Sequence, residues 1–411
     1  MSRRFIQVHT LTSYPASLLN RDDVGFAKRI PFGGAERTRI SSQCLKRHWR
    51  TADDQWALDR ISSNGGQVPM AVRSRRIFEK HVYEPLVAEG VEEETAKKAV
   101  EALIEVVLPK GKAKARAKAA EEGEEEEGKT ELQTSQVIVL GRPEVEYLLK
   151  VARDQVSEAQ SQGKDVAKQV KGIKGDLKKN LLVLRKEPGL GPGLDAALFG
   201  RMTTGDVLAR CDAAVHVAHA FTVHSGQFET DYFSAIDDLQ GREETGSGHI
   251  NTSELSSGLF YGYVVVDVPL LVSNIEGSER GDWATADRTL AADVVRHLVH
   301  LIATVSPGAK LGSTAPYAHA STVLIENGNQ QPRTLANAFL NPVDHRNGGQ
   351  EATAAGALFD YLARHHEMYP SDTRRAVASM IELENVEGLS DRQASLPELA
   401  EWAAACVQGE A

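Results

Sequence analysis

The stretch SSGLFYGYVVVDVPL (Ser256 to Leu270) is the strongest strand signal in the chain, and it limits the folds that remain. Leu259, Tyr261, Tyr263 and Val265 alternate with Phe260, Gly262, Val264 and Val266, the period of two that a pleated strand imposes. A second β-compatible run, AAVHVAHAFTVH (Ala213 to His224), lies about thirty residues before it, and DAALFGRM (Asp195 to Met202) reads the same way. RFIQVHTL (Arg4 to Leu11) predicts a first strand, with Ile6 and Val8 opposite Phe5, Gln7 and His9. The TSYPASLLNRDD that follows, with its proline and small polar residues, reads as a loop. Ala284 to Val305 predicts an amphipathic helix on the four-residue spacing of Leu290, Val294, Leu298 and Ile302, leading to a last strand near Ser321 to Glu326. The order β…αβ…β…αβ specifies an α+β fold with an RRM-like (ferredoxin-like) core carrying large insertions. The C-terminal third, from EATAAGALFDYLARHHEM through YPSDTRRAVASMIELEN to SLPELAEWAAACVQ, reads as helical.

Charge singles out one segment. Asn20 to Arg50 holds Arg21, Lys28, Arg29, Arg37, Arg39, Lys46, Arg47 and Arg50 against Asp22, Asp23 and Glu36, a local net of +5 in a chain of net -10. Positive charge gathered in one place on an acidic protein, beside Gly33 and Gly34, suits polyphosphate. A solvated basic loop is the other reading of the same composition. RTRIS (Arg37 to Ser41) predicts a short strand with Arg37 and Arg39 on one face, and Ser41 or Ser42 caps a helix through SQCLKRHWRTADDQWALDR. On that helix Leu45 and Trp49 face the core, and Lys46 and Arg50 form a row on a neighbouring face. Rows of cations on rigid elements suit successive phosphates of an extended strand better than one nucleotide.

Between the basic segment and the later strands, residues from about 60 to 190 are mostly helical, which makes them an insertion between sheet elements. Lys110 to Lys129 within it is a charge-blocked, low-complexity run that reads as a mobile loop. Ser225 to Glu254 is too long for an ordinary hairpin connection, and a connection of this length is usually functional.

LNRDD, the Phe32-Gly33-Gly34 turn, RTRISSQCLKR, GRMTT, YFSAIDDLQ, ELSSGLFYGY and VSPGAKLGSTAPYA occur in this order. As a set they resemble the CasC (Cse4) family of backbone subunits of the type I-E CRISPR surveillance complex Cascade, a branch of the Cas-seven family. The resemblance implies a palm over 1–59 and 194–411, helical fingers over 60–193 and a thumb over 225–254. It implies RNA binding by Asn20, Arg21, Lys28, Ser41, Gln43, Lys46, Arg47, Arg50, Arg201, Met202, Tyr232, Phe233 and Lys310, with Tyr232 and Phe233 at the aromatic position of the thumb and Met202 near a kinked nucleotide. The implied partners are crRNA, target DNA paired to it, further copies head to tail, and the other Cascade subunits.

Enzymatic chemistry finds no footing in the sequence. GxxxxGK[ST], HExxH, GxSxG and CxxC are missing, and no cofactor is implied. Asp22 and Asp23 are the exception to weigh, since type III relatives cleave RNA with a loop aspartate; here they read as structural anchors of the basic loop. An RNA-cleaving relative and a general single-strand binder are the rival classes. His216, His219 and His224 are spaced awkwardly for a metal on one strand face. Cys44, Cys211 and Cys406 predict buried thiols in a reducing compartment, and neither a signal core in MSRRFIQVHT nor a membrane-length apolar run is found, so the expected location is the cytoplasm.

Overall fold

The computed structural model describes residues 2–63, 65–108, 132–134, 136–186, 192–201, 211–235, 249–344, 349–382, 391–392 and 395–410. Lys110 to Lys129 and Met202 lie outside these. The chain forms two compact units. The first comprises Met1–Leu58, Val215–Val268 and Ala291–Ala411, and the second Asp59–Ala214 and Pro269–Leu290.

The first unit is built on a mixed sheet that is mainly antiparallel. In chain order its elements are β1 (Phe5–Ser17), β2 (Arg29–Phe32), β3 (Ala35–Ile40), α1 (Ser42–Arg50), β4 (Val215–Val217) and β5 (Ala220–Thr222). They continue with β6 (Gln227–Ala235), β7 (His249–Asp267), α2 (Thr289–Thr304), β8 (Thr322–Gly328), α3 (Gln350–Met368), β9 (Arg374–Ser379) and α4 (Leu396–Gln408). The strands run β9-β8-β1-β7-β5-β3-β2, with Asp391–Arg392 outside β9 and with β4 and β6 pairing along β7. β1 is central, pairing antiparallel with β7 (His9 opposite Tyr263) and with β8 (His9 opposite Leu324).

Both faces of this sheet are covered. On one, Leu11, Leu259, Tyr261, Leu324 and Val377 pack with Ala354, Leu358 and Leu362 of α3. On the other, Tyr14, Ile40, Ala220 and Phe260 pack against Leu45 of α1, and a cavity of about 40 Å³ remains between them, Trp49 and Ile302 of α2. Burial on both faces explains the apolar run LFYGYVVV of β7 and why the polar Gln7, His9, Thr10 and Thr12 of β1 are buried as well.

Three local expectations fail. TSYPAS is strand, not loop: β1 runs on to Ser17, and the register shifts between Tyr14 and Ser17, which lets the pairing accommodate Pro15. DAALF lies in a helix, Leu194–Phe199, bracketed by Gly193 and Gly200, both at positive φ. RRAVAS, read as helical, is β9, paired with β8 from Thr322↔Ser379 to Asn327↔Arg374.

The second unit has its own core. Glu93–Val107, Arg142–Gln162, Val166–Gly172 and Lys174–Lys186 are helices that bury Val100, Leu103, Leu148, Ala152, Val170 and Leu177 together. Arg142–Gln162 closes with Gly163 in the left-handed conformation. Among the described residues no helix is long and apolar enough to cross a membrane.

The first unit also buries an ionic network. The Glu326 carboxylate is fully buried and accepts from Arg333 (2.5 and 2.8 Å), from Arg375 Nε (2.9 Å) and from His9 Nε2 (3.1 Å). His9 Nδ1 then accepts from the Tyr261 hydroxyl (2.9 Å), which itself accepts from the Leu335 amide (3.0 Å). Burial alone would raise the Glu326 pKa, but the hydrogen bonds from His9 and Arg333 hold it well below the usual carboxylate range. Burial lowers His9, and His300, stacked on Trp56 with centroids 3.6 Å apart, is brought down by burial to about 4.

These histidines set an acid limit on the fold. Each binds its proton less readily folded than unfolded, so its contribution is complete above the ordinary histidine value of 6.5 and is lost as pH falls toward the folded value. The urea midpoint should therefore hold steady near neutrality and decline between about pH 6.5 and about 4. A midpoint that stays level down to the lower of these values would contradict the neutral, buried state of both rings.

Candidate nucleic-acid interface

The basic segment folds into a loop, a two-stranded hairpin and a helix, each fixed by named contacts. The loop, residues 20–28, is tied at its neck where Lys28 N donates to Asn20 O (2.9 Å) and Arg21 bridges Ala27. Asp22 Oδ1 accepts from the amides of Val24 (3.1 Å) and Phe26 (2.8 Å), holding the tip, and Gly25 sits there at φ +102°. The Asp22 side chain is thus an anchor of the loop, as its place in NRDD suggests.

The Phe32-Gly33-Gly34 turn joins β2 to β3 with both glycines at positive φ, +60° and +74°, and Phe32 paired with Ala35. Two left-handed residues in a two-residue connection match the twist of the flanking strands. A Cβ on Gly33 would fall 1.7 Å from the Leu340 carbonyl oxygen, so no side chain fits there. The glycine pair read as a companion of polyphosphate is therefore explained by hairpin geometry.

Helix α1 starts where expected but is shorter. Ser41 is its N-cap and accepts from Cys44 N (3.3 Å), while Asn20 Oδ1 accepts from Ser41 N (2.9 Å) and joins the loop entrance to the cap. The helix ends at Arg50, with Thr51 N donating back to Arg47 O, and does not run on through TADDQWALDR. Trp49 is buried, Leu45 packs beside it, Gln43 and Arg47 are exposed, and Lys46 and Arg50 are half-buried.

Several cations of this segment converge. The Arg39 amide donates to Lys28 O (2.8 Å), and Ile40 pairs with Ala220, which brings His219 to the start of α1, where its Nδ1 accepts from Ser42 N (3.1 Å). His219 is held below its ordinary value first by burial and then by the positive field of Arg39, Lys28 and Lys46. Burial pushes the Cys44 thiol up while Arg47 and Lys28 oppose it. Lys28 is thus joined through the backbone to Arg39 of β3, and Lys46 and Arg47 follow on α1, so four cations lie on the elements that meet at the β3 to α1 junction. Lys28, Arg29 and Arg39 also line an open concavity of about 910 Å³ with Asp22, Asp23, Phe26 and Glu254. Val24 and Phe26, both more than half exposed, add apolar surface at the loop.

Two arginines of the segment do other work. Arg37 is fully buried and donates to the carbonyls of Phe32 (3.2 Å), Thr222 (3.0 Å) and Phe339 (2.9 Å), so it does not join Arg39 in a solvent-facing row. Burial lowers its pKa. Arg29 pairs with Glu254 and with Glu36 (3.2 Å).

The remaining candidates fall in different places. Lys310 follows Ala309, whose amide donates to Leu18 O (2.9 Å), so its loop lies beside the chain entering the basic loop. Tyr232, 63% exposed, and Phe233 lie on β6, opposite Thr252 and Asn251 of β7. Arg201, in the second unit, is buried and engages both oxygens of Glu144, whose Oε2 also accepts from Gly141 N (2.9 Å). The Arg201 guanidinium stabilises that unit's interior, a role its neighbours in sequence do not signal. His219 and Arg39 are the residues that sequence reasoning left out of the site, because the β3 to β5 pairing that brings them together joins segments about 180 residues apart.

The sequence from 6 to 402 matches the family described as CT1975-like protein, and the chain belongs to that family. Among solved structures, one chain described as "CRISPR RNA-guided surveillance complex, pre-nicking" is 27% identical, with a TM-score of 0.75 over 98% of this chain and 100% of its own length. Another, described as "CRISPR RNA-guided surveillance complex", is 21% identical with a TM-score of 0.55, each chain being covered over 98%. That second likeness is one of fold. Among curated proteins, none matches the sequence.

Proposed function

We propose that the chain is a non-catalytic backbone subunit of a type I-E CRISPR surveillance complex, acting in the cytoplasm. Several copies polymerise head to tail along the spacer of a crRNA, hold its sugar-phosphate backbone and present the bases for pairing with target DNA. The observation that carries this reading is that Lys28, Arg39, Lys46 and Arg47 stand on a loop, a strand and a helix that meet at one junction, tied by the Arg39 amide to Lys28 O and by the Ser42 amide to His219. Cations whose backbone is already fixed by a capped helix, a paired strand and a tied loop meet successive phosphates at the cost of side-chain ordering alone. Family membership and the likeness to a surveillance-complex chain support the same assignment.

The core order β1-α1-β5-β7-α2-β8, with β8, β1, β7 and β5 adjacent in the sheet, supports an RRM-like description. Any spacer must be accepted, so contacts go to phosphates and 2′-hydroxyls, and base pairing reads the target. The β6 to β7 hairpin is the candidate thumb, and the exposure of Tyr232 on β6 supports a role in stacking on or wedging beside a base whatever its identity. The other Cascade subunits bind the ends and flank of the filament.

Purifying the full-length chain from its native cells and sequencing the bound RNA tests the assignment. The expected result is a particle holding RNAs of one length, constant at the ends and variable inside. Bound RNA of mixed length and origin would replace the reading with a general single-strand binder. Cleavage of complementary RNA at regular intervals with Mg²⁺ would replace it with a nuclease using Asp22 or Asp23.

A further inference from the structure

Glu254 lies in the concavity that Lys28, Arg29 and Arg39 line together with Asp22 and Asp23, and its contacts explain what it does there. It lies on β7 opposite Thr230 of β6, at the base of the hairpin arm, and is 8% exposed. Its Oε1 accepts from the Ala27 amide (3.0 Å), and its Oε2 pairs with the Arg29 guanidinium. That guanidinium also reaches Glu36 (3.2 Å) and lies over the Phe228 ring of β6, 3.7 Å from its centroid. The Gly226 amide, just before β6, donates to Glu36 O (2.7 Å).

Lys28 therefore stands between two residues, Ala27 and Arg29, held by one carboxylate that belongs to the arm. We propose that Glu254 is a positioning residue: it latches the basic loop to the base of the hairpin arm, so that Lys28 and the arm engage a single-stranded nucleic acid as one body. This rests on the nucleic-acid reading of the basic segment. The carboxylate acts through Arg29 and the Ala27 amide and itself touches no nucleic acid.

Simple electrostatics and the latch predict opposite signs. If Glu254 were only a negative neighbour, removing its charge would strengthen binding to a polyanion and release Arg29 to meet a phosphate. With the latch, the same change loosens Lys28 and weakens binding. The test titrates the full-length chain with labelled single-stranded RNA of mixed sequence over a range of salt, comparing Glu254→Gln, Arg29→Lys and Lys28→Glu with the unsubstituted protein.

Glu254→Gln is expected to weaken binding roughly five- to tenfold, with the salt dependence unchanged because no phosphate contact is lost, and the Ala27 amide should exchange its hydrogen faster. Arg29→Lys keeps the charge but loses the planar fork and its stacking, and should weaken binding similarly with the same salt slope. Tighter or unchanged binding by Glu254→Gln, or a salt slope steeper by about one contact, would overturn the latch. If instead Lys28→Glu left affinity and slope unaltered, the nucleic-acid reading would fall, while Ala27 exchange would still report on the latch.

Discussion

Reversing Lys28 and Lys46 together to Glu is expected to lower the affinity of the full-length chain for single-stranded RNA by about two orders of magnitude, equally for unrelated sequences. The two lysines act on the same imidazole, that of His219, from different elements, the basic loop and α1. A strand lying across the junction as proposed would meet both, and each cation lost would remove a released counterion. The slope of log K against log salt should accordingly become shallower by about 0.7 for each contact on a single strand. Uniformity across sequences separates this from loss of base reading, and the slope separates it from misfolding. If affinity fell with no change of slope, the lysines would be supports of the fold and the phosphate path would lie elsewhere.

Glu326→Ala is expected to cost about 3 to 5 kcal/mol of folding stability, the range for removing one member of a buried ion pair. Most of this comes from what remains: Arg375, 3% exposed, and Arg333 would face each other across the vacated carboxylate, with His9 losing its acceptor. Glu326→Gln keeps the volume and one carbonyl acceptor, so its loss should be smaller. Urea unfolding of the two variants measures the difference. A loss below about 1 kcal/mol for Glu326→Ala would mean that water or a shifted side chain satisfies both guanidinium groups.

What the sequence disclosed, and what it concealed, follows the range of the interactions involved. β7 and the Ser41 cap were legible because alternation and capping are local: Leu259 and Tyr261, or Ser41 and Cys44, carry their own signal. β9 was hidden because RRAVAS has strand character only beside β8, some fifty residues away. The TSYPAS half of β1 was hidden for the same reason, its pairing with β7 outweighing a local preference for a turn. The Gly193 to Gly200 bracket was a readable sign of a short helix and was outweighed by apolar content.

At the site, charge alone could not separate the arginines. Arg37 and Arg39 share one strand, yet Arg37 meets main-chain carbonyls of Phe32, Thr222 and Phe339, two of which come from remote parts of the sequence. Arg201 is likewise committed to Glu144, and no pattern around GRM reveals that partner. By contrast the helical row of Lys46 and Arg50 was readable from spacing, since one turn of α1 separates them.

Nineteen consecutive residues of one strand serve both the middle of the sheet and the projecting arm, with His249 to Ser257 paired to β6, Gly258 to Asp267 paired to β1, and Ser256 also opposite Ser17 of β1. The projecting part spans roughly 30 Å at about 3.3 Å per residue. The β6 side of this ladder is unbroken from Gln227↔Ser257 to Ala235↔His249, whereas the β1 side shifts register at the root of the arm, between Tyr14 and Ser17. Deleting a facing residue pair from β6 and β7 would shorten this ladder by about 3.3 Å and turn every side chain beyond the cut to the opposite face, so the arm's length and the face it presents change together.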